Sequence, residues 1–221
     1  MIFVILKHRQ KHHFSKLTYT LVKTCIEMQD NEKKNKKQDI YREAARLFME
    51  KGYNAASMRD LAERVQLKVS SLYSHIGSKE EILVKICFDN AHRFTEGMNK
   101  VDKMKCNAAE KIESLLKLHI RTAIEETTAV TVFNDEWRHL SEPYLSDFIS
   151  MRKDYENRFR KIIKLGVEEG GLKNVNTEIM LYSLLNSVHW LHKWYKPEGK
   201  IKAEELEKDI IEMLMRGVVE K

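Results

Sequence analysis

Turn-forming residues are scarce in this chain: its 221 residues include eight glycines and two prolines. An all-β sandwich or barrel needs a turn about every 8–12 residues, so that class is excluded. Phosphate-cradling loops cluster their glycines; here they are scattered, and neither a Walker loop nor a dinucleotide fingerprint is present. Cysteine is equally sparse. Cys25, Cys87 and Cys106 form no Cys-x-x-Cys pair and are odd in number, which argues against a zinc ribbon or a disulfide framework and suits free thiols in a reducing cytoplasm. No apolar run approaches the ~18 residues of a membrane span. The apolar start, Met1 to Leu6, has no basic stretch before it and is too short for a secretory signal. The expectation is an all-α, cytoplasmic chain with no cofactor, no metal and no membrane partner.

What the chain has is charge and helical periodicity. Hydrophobic residues make up 43% and charged residues 33%, a globular balance. The formal net charge is +6, unevenly spread. Residues 1–105 hold 21 basic and 13 acidic side chains, and the remainder 18 and 20. A basic N-terminal half on a near-neutral C-terminal half suggests a polyanion-binding module joined to something else.

From Asp39 onward the apolar residues recur at helical spacing. Ile40, Ala44, Leu47 and Phe48 share one face, and Gly52 is a fitting stop. Ser57 caps a short helix over 58–65 with Leu61, Ala62 and Val65 inside. A third segment, 69–75, places Val69, Leu72, Tyr73 and Ile76 on one side. Ser78 and Glu81 form a capping box that opens a helix running to about Val101. Further helices are expected over 108–127, over 130–140, from Pro143 to about Glu169, from Thr177 through Trp194, and over 203–218.

Three short helices in under 40 residues, the last two joined by about three residues, have helix-turn-helix spacing. The third presents Lys68, Ser70, Ser71, Ser74 and His75, hydrogen-bonding residues with no acid that phosphates would repel. Lys79 opens the next helix, where its ammonium and the free N–H groups favour a phosphate. The stretch Ile40 to Leu83 resembles the N-terminal domain of the TetR family of bacterial transcriptional regulators. Ala44-Ala45-Arg46-Leu47-Phe48, Lys51-Gly52-Tyr53, Ser57-Met58-Arg59-Asp60-Leu61-Ala62 and the run from Ser71-Leu72-Tyr73 to Ile82-Leu83 match in order and spacing. The resemblance implies that Tyr73 and Lys79 touch DNA phosphates and that Lys68 to Ser71 lie over bases. The expected DNA-contacting set is therefore Ser57, Arg59, Lys68, Ser70, Ser71, Tyr73, Ser74, His75 and Lys79. Three positions depart from the family pattern. Gln66 stands where the turn usually has Gly, so either it is strained or the turn avoids positive φ. Lys68 replaces the usual Ser or Thr cap, and Ile76 the usual Phe.

The second half is similar to TetR-family regulators of fatty-acid and sterol-side-chain breakdown, whose effectors are acyl-CoA thioesters. The resemblance rests on the segment from Phe133 to Leu145, on Arg152 to Glu156, on Gly166 to Gly170 and on Asn186 to Pro197. An acyl chain needs an elongated apolar cavity between helices. Phe133, Trp137, Trp190 and Trp194 are candidates to line it, and His119, Arg138 and His189 to meet the polar end. Each of the aromatics is also readable as ordinary core, and His119 as a core histidine bonded to a carbonyl. Glu136-x-x-His139 has the spacing of half a di-iron site, but no second Glu-x-x-His exists, and His189-x-x-His192 reads as pocket or interface.

The resemblance implies a two-fold dimer in which the last two helices of each subunit form a four-helix bundle; Leu184, Trp190, Ile210 and Leu214 are the expected contacts. Together these readings give a domain plan of 1–35 as an extension, disordered or mis-annotated, 36–80 as the helix-turn-helix domain, and 81–221 as the ligand-binding and dimerisation domain. The partners would be a palindromic operator, a small hydrophobic effector and a second copy of the chain. The alternatives are a small all-α enzyme or carrier, for which only the isolated Glu136/His139 pair speaks, and a helical adaptor without DNA binding. Residues 1–27 carry five bases and one acid, and Met28 reads as the true start, with a basic arm in the minor groove as the other reading.

Overall fold

The computed structural model describes residues 35–220, so the reading of residues 1–27 and of Met28 lies outside the described part. Among the described residues the chain is helical, with no strand and a single isolated bridge between Leu172 and Val219. Helix α1 spans residues 35–51 and buries Ile40, Ala44, Leu47 and Phe48, as the spacing predicts. It stops where Gly52 turns to φ 77° and its N–H bonds the Phe48 carbonyl at 2.9 Å.

Helix α2 is Met58–Arg64. Ser57 and Asp60 exchange side-chain and backbone hydrogen bonds in a full capping box. After it the chain turns through Gln66, whose N–H bonds Glu63 while the Leu67 N–H bonds Ala62 at 2.9 Å. This Schellman pair requires a left-handed residue, and Gln66 has φ 54°. Of the two readings for this turn, the structure adopts the strained one. Helix α3, Val69–Tyr73, ends earlier than expected and receives no side-chain cap from Lys68. Leu72 and Ile76 face inward, but Val69 and Tyr73 face solvent, which corrects the apolar side drawn for this segment.

Helix α4, Lys79–Asp102, opens with the Ser78 hydroxyl accepting from the Glu81 N–H at 3.0 Å. The reciprocal half of the expected box differs. Glu81 instead accepts from the Gly77 N–H at 2.7 Å and from the Tyr41 hydroxyl at 3.1 Å, which ties α1 to α4.

Helix α5 is Ala108–Glu125, and α6, Thr127–Asp135, follows directly after a break at Glu126, followed by a 3₁₀ turn, Trp137–His139. Helix α7 is Tyr144–Glu168. Gly166 is required where α7 meets α5: a Cβ there would lie 2.6 Å from the Ala108 Cβ and 2.5 Å from Leu172 Cδ1. The expected long helix from Thr177 to Trp194 is two, α8 Thr177–His189 and α9 Leu191–Trp194. His192 explains the break. Its Nδ1 sits 2.5 Å from the His189 carbonyl, and the Lys193 N–H, displaced from that acceptor, bonds Trp190 instead. Helix α10 is Ala203–Val218.

Two apolar clusters share α4. The first packs α1 to α3 and the start of α4, and it draws Val132, Leu140 and Phe148 from the second half. At roughly 1.5–3 kcal/mol per fully buried large apolar side chain, these three alone hold head and body together firmly. The second packs the remainder of α4 with α5, α7, α8 and α10, and Phe133 touches both clusters. Leu184 and Ile210 lie inside this second core, at 1% and 9% exposure, which takes them off the outer surface expected to meet a second copy. Leu214 is partly buried, and the outward apolar residues of this face are Ile179, Tyr182, Trp190 and Met213.

A left-handed non-glycine residue costs about 1–2 kcal/mol, partly offset in glycine by its greater chain entropy. Gln66→Gly is therefore expected to stabilise the chain by roughly 0.5–1 kcal/mol, read as a higher urea midpoint with unchanged slope.

Candidate DNA-binding face and effector cavity

The outward side of α3 is polar, short and free of acids. Lys68, Ser70, Tyr73 and Ser74 are exposed, Ser71 and His75 partly so. Arg59 and Lys68 make no ion pair among the described residues, so their charges are free for phosphates. Two of the expected serines have local duties: Ser57 caps α2, and the Ser74 hydroxyl donates to the Ser71 carbonyl at 2.7 Å. Val69, at the first position of α3, lies within the Lys68 to Ser71 stretch that the family resemblance expects over bases. Helical spacing assigns it to the core, yet it is 36% exposed, and an exposed branched methyl pair there suits a thymine methyl in the major groove.

Lys79 is partly buried and already engaged. Its Nζ donates to the Tyr53 carbonyl at 2.8 Å and the Ala56 carbonyl at 2.9 Å, and lies 4.3 Å from the centre of the Tyr53 ring. An ammonium has three donors, so one remains for a phosphate. The same Tyr53 ring stacks on His139 of the 3₁₀ turn, with centroids 5.6 Å apart and planes at 20°. Glu136 holds His139 at 3.4 Å, and Glu80 accepts from both the hydroxyl and the N–H of Ser141. The segment after α6 is thus pressed against the head. This is the role the structure gives the Glu136 and His139 pair; among the described residues, no group of three or more His, Cys, Asp or Glu could hold a metal ion.

A narrow cavity, open to solvent at one end, lies between α4, α5, α6, α7 and α8. Its walls are aromatic: Phe94 from α4, Phe133 from α6, Phe148 and Tyr155 from α7. His119 and His189 face into it. The His119 Nε2 sits 2.8 Å from the Tyr155 hydroxyl, and its ring stacks on Phe94 with centroids 4.3 Å apart. Burial, with His189 beside it, holds His119 well below the usual histidine range. Burial, then Arg152 and His192, pushes His189 down to about 4. At neutral pH both imidazoles are uncharged. Arg152 is the cavity's cation; its Nε donates to Glu156 at 3.2 Å, and its side chain is 45% exposed.

Three of the seven residues expected here, His119, Phe133 and His189, line the cavity. The other four do not. Trp137 stands behind the wall, stacked on Phe148 at 5.6 Å, with Arg138 over its outer face at 4.6 Å. Trp190 and Trp194 point outward, 62% and 50% exposed, at positions of the helical turn opposite the buried Leu181, Leu184, Leu185 and Val188. Phe94, Phe148 and Tyr155 were legible as helix seams, but only the packing shows that those seams face one another.

Comparison with known proteins agrees with this layout. Residues 40–86 match the family model described as bacterial regulatory proteins, tetR family, and residues 105–218 match that of a tetracyclin repressor-like C-terminal domain. The HTH-type transcriptional repressor KstR2 of Mycolicibacterium smegmatis is 22% identical over 188 residues, covering 84% of this chain and 92% of that one. The crystal structure of the TetR family transcriptional regulator PfmR from Thermus thermophilus superposes with a TM-score of 0.70 at 30% identity, covering 80% of this chain and 97% of that one. AibR, solved in complex with isovaleryl coenzyme A and operator DNA, superposes with a TM-score of 0.71 at 24% identity, covering 81% and 98%.

The two depressed histidines have a consequence for stability. Each binds its proton only after unfolding, so the stability they confer is complete above about pH 6.5 and is lost as pH falls below it. His189 alone is expected to cost roughly 3 kcal/mol by pH 4, an acid sensitivity that His189→Asn should reduce in urea titrations across pH 7 to 4.

Proposed function

The chain belongs to the TetR family of bacterial regulatory proteins, and from that premise we propose that it is a homodimeric transcriptional repressor released from a palindromic operator by a small hydrophobic effector, an acyl-CoA thioester. The observation that carries this reading is the course of α4. One unbroken helix begins with Lys79 beneath the DNA-facing surface and forms the cavity wall with Ala91, Phe94 and Thr95. Whatever fills the cavity pushes on the helix that carries the head.

The DNA contacts of the proposal are those of the exposed face: Lys68, Ser70, Ser71 and Val69 over bases, with Tyr73, Lys79, Arg59, Ser57, Ser74 and His75 toward the backbone. The kinship to KstR2, a repressor by name, supports repression rather than activation. AibR, of the same fold, binds isovaleryl coenzyme A, which supports a thioester effector. The second copy would sit on the outward face of α8 and α10, where Ile179, Tyr182, Trp190 and Met213 leave apolar surface exposed. Two-fold symmetry then sets the α3 helices about one DNA turn, roughly 34–36 Å, apart. Such a repressor meets its operator in the cytoplasm.

Release is a population shift: the effector favours a head spacing that does not fit the operator. Two contacts transmit it. One is α4 itself. The other runs from Phe133 and Phe148 through Trp137, stacked behind the wall, to His139 and the Tyr53 ring under Lys79.

In a gel shift on DNA from upstream of the gene, a retarded band at moderate salt is expected. Tyr73→Ala and Lys79→Ala should each weaken it and lower the slope of log affinity against log salt by about 1. Failure of the intact chain to bind any upstream fragment would overturn the repressor reading. His139→Ala is expected to keep operator affinity within about threefold while raising, by roughly tenfold, the acyl-CoA concentration needed for release.

A further inference from the structure

The charge layout of the cavity points to a selection rule for its ligand, an inference that rests on the effector reading above. Exposure falls along a line of polar side chains. Arg152 stands at the mouth with its side chain 45% exposed, His189 is deeper, and His119 is 6% exposed. Between them the walls are Phe94, Phe133 and Phe148. The ring nitrogens of His189 make no hydrogen bond among the described residues, and His119 uses only Nε2, toward Tyr155. The deep end therefore offers hydrogen-bonding atoms without partners, in an otherwise apolar space.

We propose that the cavity takes a ligand with an apolar body, an uncharged oxygen function such as a hydroxyl or carbonyl at its buried end between His119 and His189, and negative charge only at the Arg152 mouth. A neutral imidazole both donates and accepts, so it serves either oxygen function. A carboxylate at the buried end is rejected, because it would lose its water without gaining a cation. The charged groups around His189 agree with this sign. Arg152 and Glu156 of α7 pair with one another at the mouth; His192 of α9 is held by the His189 carbonyl and stands 3.7 Å from Asp135 of α6; His119 comes from α5; and α4 contributes the uncharged Ala91, Phe94 and Thr95. Depression of both histidines by burial keeps the deep end uncharged through the physiological range. At the mouth, Arg152 gives Glu156 its Nε and lies 5.6 Å from the centre of the Trp137 ring, and its half-exposed guanidinium is suited to a phosphate or a thioester-linked polyanion.

Three coenzyme A thioesters of equal chain length separate the possibilities: octanoyl-CoA, 8-hydroxyoctanoyl-CoA, and suberoyl-CoA, which ends in a carboxylate. Binding to the full-length protein is followed by calorimetry. At pH 7.5 the hydroxy compound is expected to bind at least tenfold more tightly than the suberoyl compound. The gap should narrow toward pH 5.5, where a growing share of the suberoyl carboxylate is protonated and enters uncharged. His189→Leu should abolish the preference for the hydroxy compound over octanoyl-CoA, and Arg152→Gln should weaken all three alike. Retained operator binding by both variants checks that they are folded. Suberoyl-CoA binding as tightly as the hydroxy compound at pH 7.5, or an unchanged preference order in His189→Leu, would overturn the selection rule and leave the effector reading standing. Binding of none of the three would overturn both.

Discussion

The structure depends on α4 remaining one uninterrupted helix across two cores. Its first turns bury Ile82, Leu83, Ile86 and Cys87 among the short N-terminal helices, and its later turns bury Phe94, Met98 and Val101 in the body. No proline lies inside this helix, and although the Asn90 amide and the Thr95 hydroxyl each donate to the carbonyl one turn back, the run from Lys79 to Asp102 stays helical throughout. In the proposed mechanism, a displacement at the cavity wall would be carried along this one helix to Lys79. Ser78 and Glu81, which cap the helix and fasten it to α1 through Tyr41, make the head follow.

Against that rigid element, the 3₁₀ turn of Trp137–His139 is a second and softer link. It joins the cavity wall to the head by ring stacking rather than by backbone. Stacked pairs are worth about 0.5–1.5 kcal/mol each beyond their buried area, the scale on which a two-state element can be biased without being locked. The Glu80 to Ser141 bonds fix the return of the chain into α7, so that the turn cannot slide independently of α4. Head and body are coupled through a covalent lever and an aromatic contact that share the same wall residues.

How much of this was legible before the structure depended on how local the information was. The head was readable because its signals lie a few residues apart: the Ser57 cap, the short connection between the second and third helices, and Ser78 three residues before Glu81. Even there, Val69 and the return bond from Glu81 were misplaced, since a five-residue helix has too little periodicity to define an inner face. The cavity was harder. Its residues come from five helices, and which seams meet is set by packing between segments far apart in the chain. Arg152, not Arg138, reaches the mouth because α7 faces the space and the 3₁₀ turn faces away. The tryptophans at 190 and 194 read as pocket or core by residue type, yet the helical turn sets both opposite the buried line of Leu181, Leu184, Leu185 and Val188, and they are exposed.

The position of Lys79 has an effect on the thermodynamics of DNA recognition. A free lysine on a protein surface surrenders up to about 2 kcal/mol of side-chain entropy when a phosphate immobilises it. Here two carbonyls and the Tyr53 ring have already immobilised it in the absence of DNA. That loss was incurred during folding, so in the proposed complex the phosphate contact would be pre-organised, with little ordering left to do. If Lys79 serves the phosphate as proposed, a head built this way would draw part of its grip on DNA from the stability of its own loops, and anything that loosens Tyr53 would remove that advantage without touching a single DNA-facing atom.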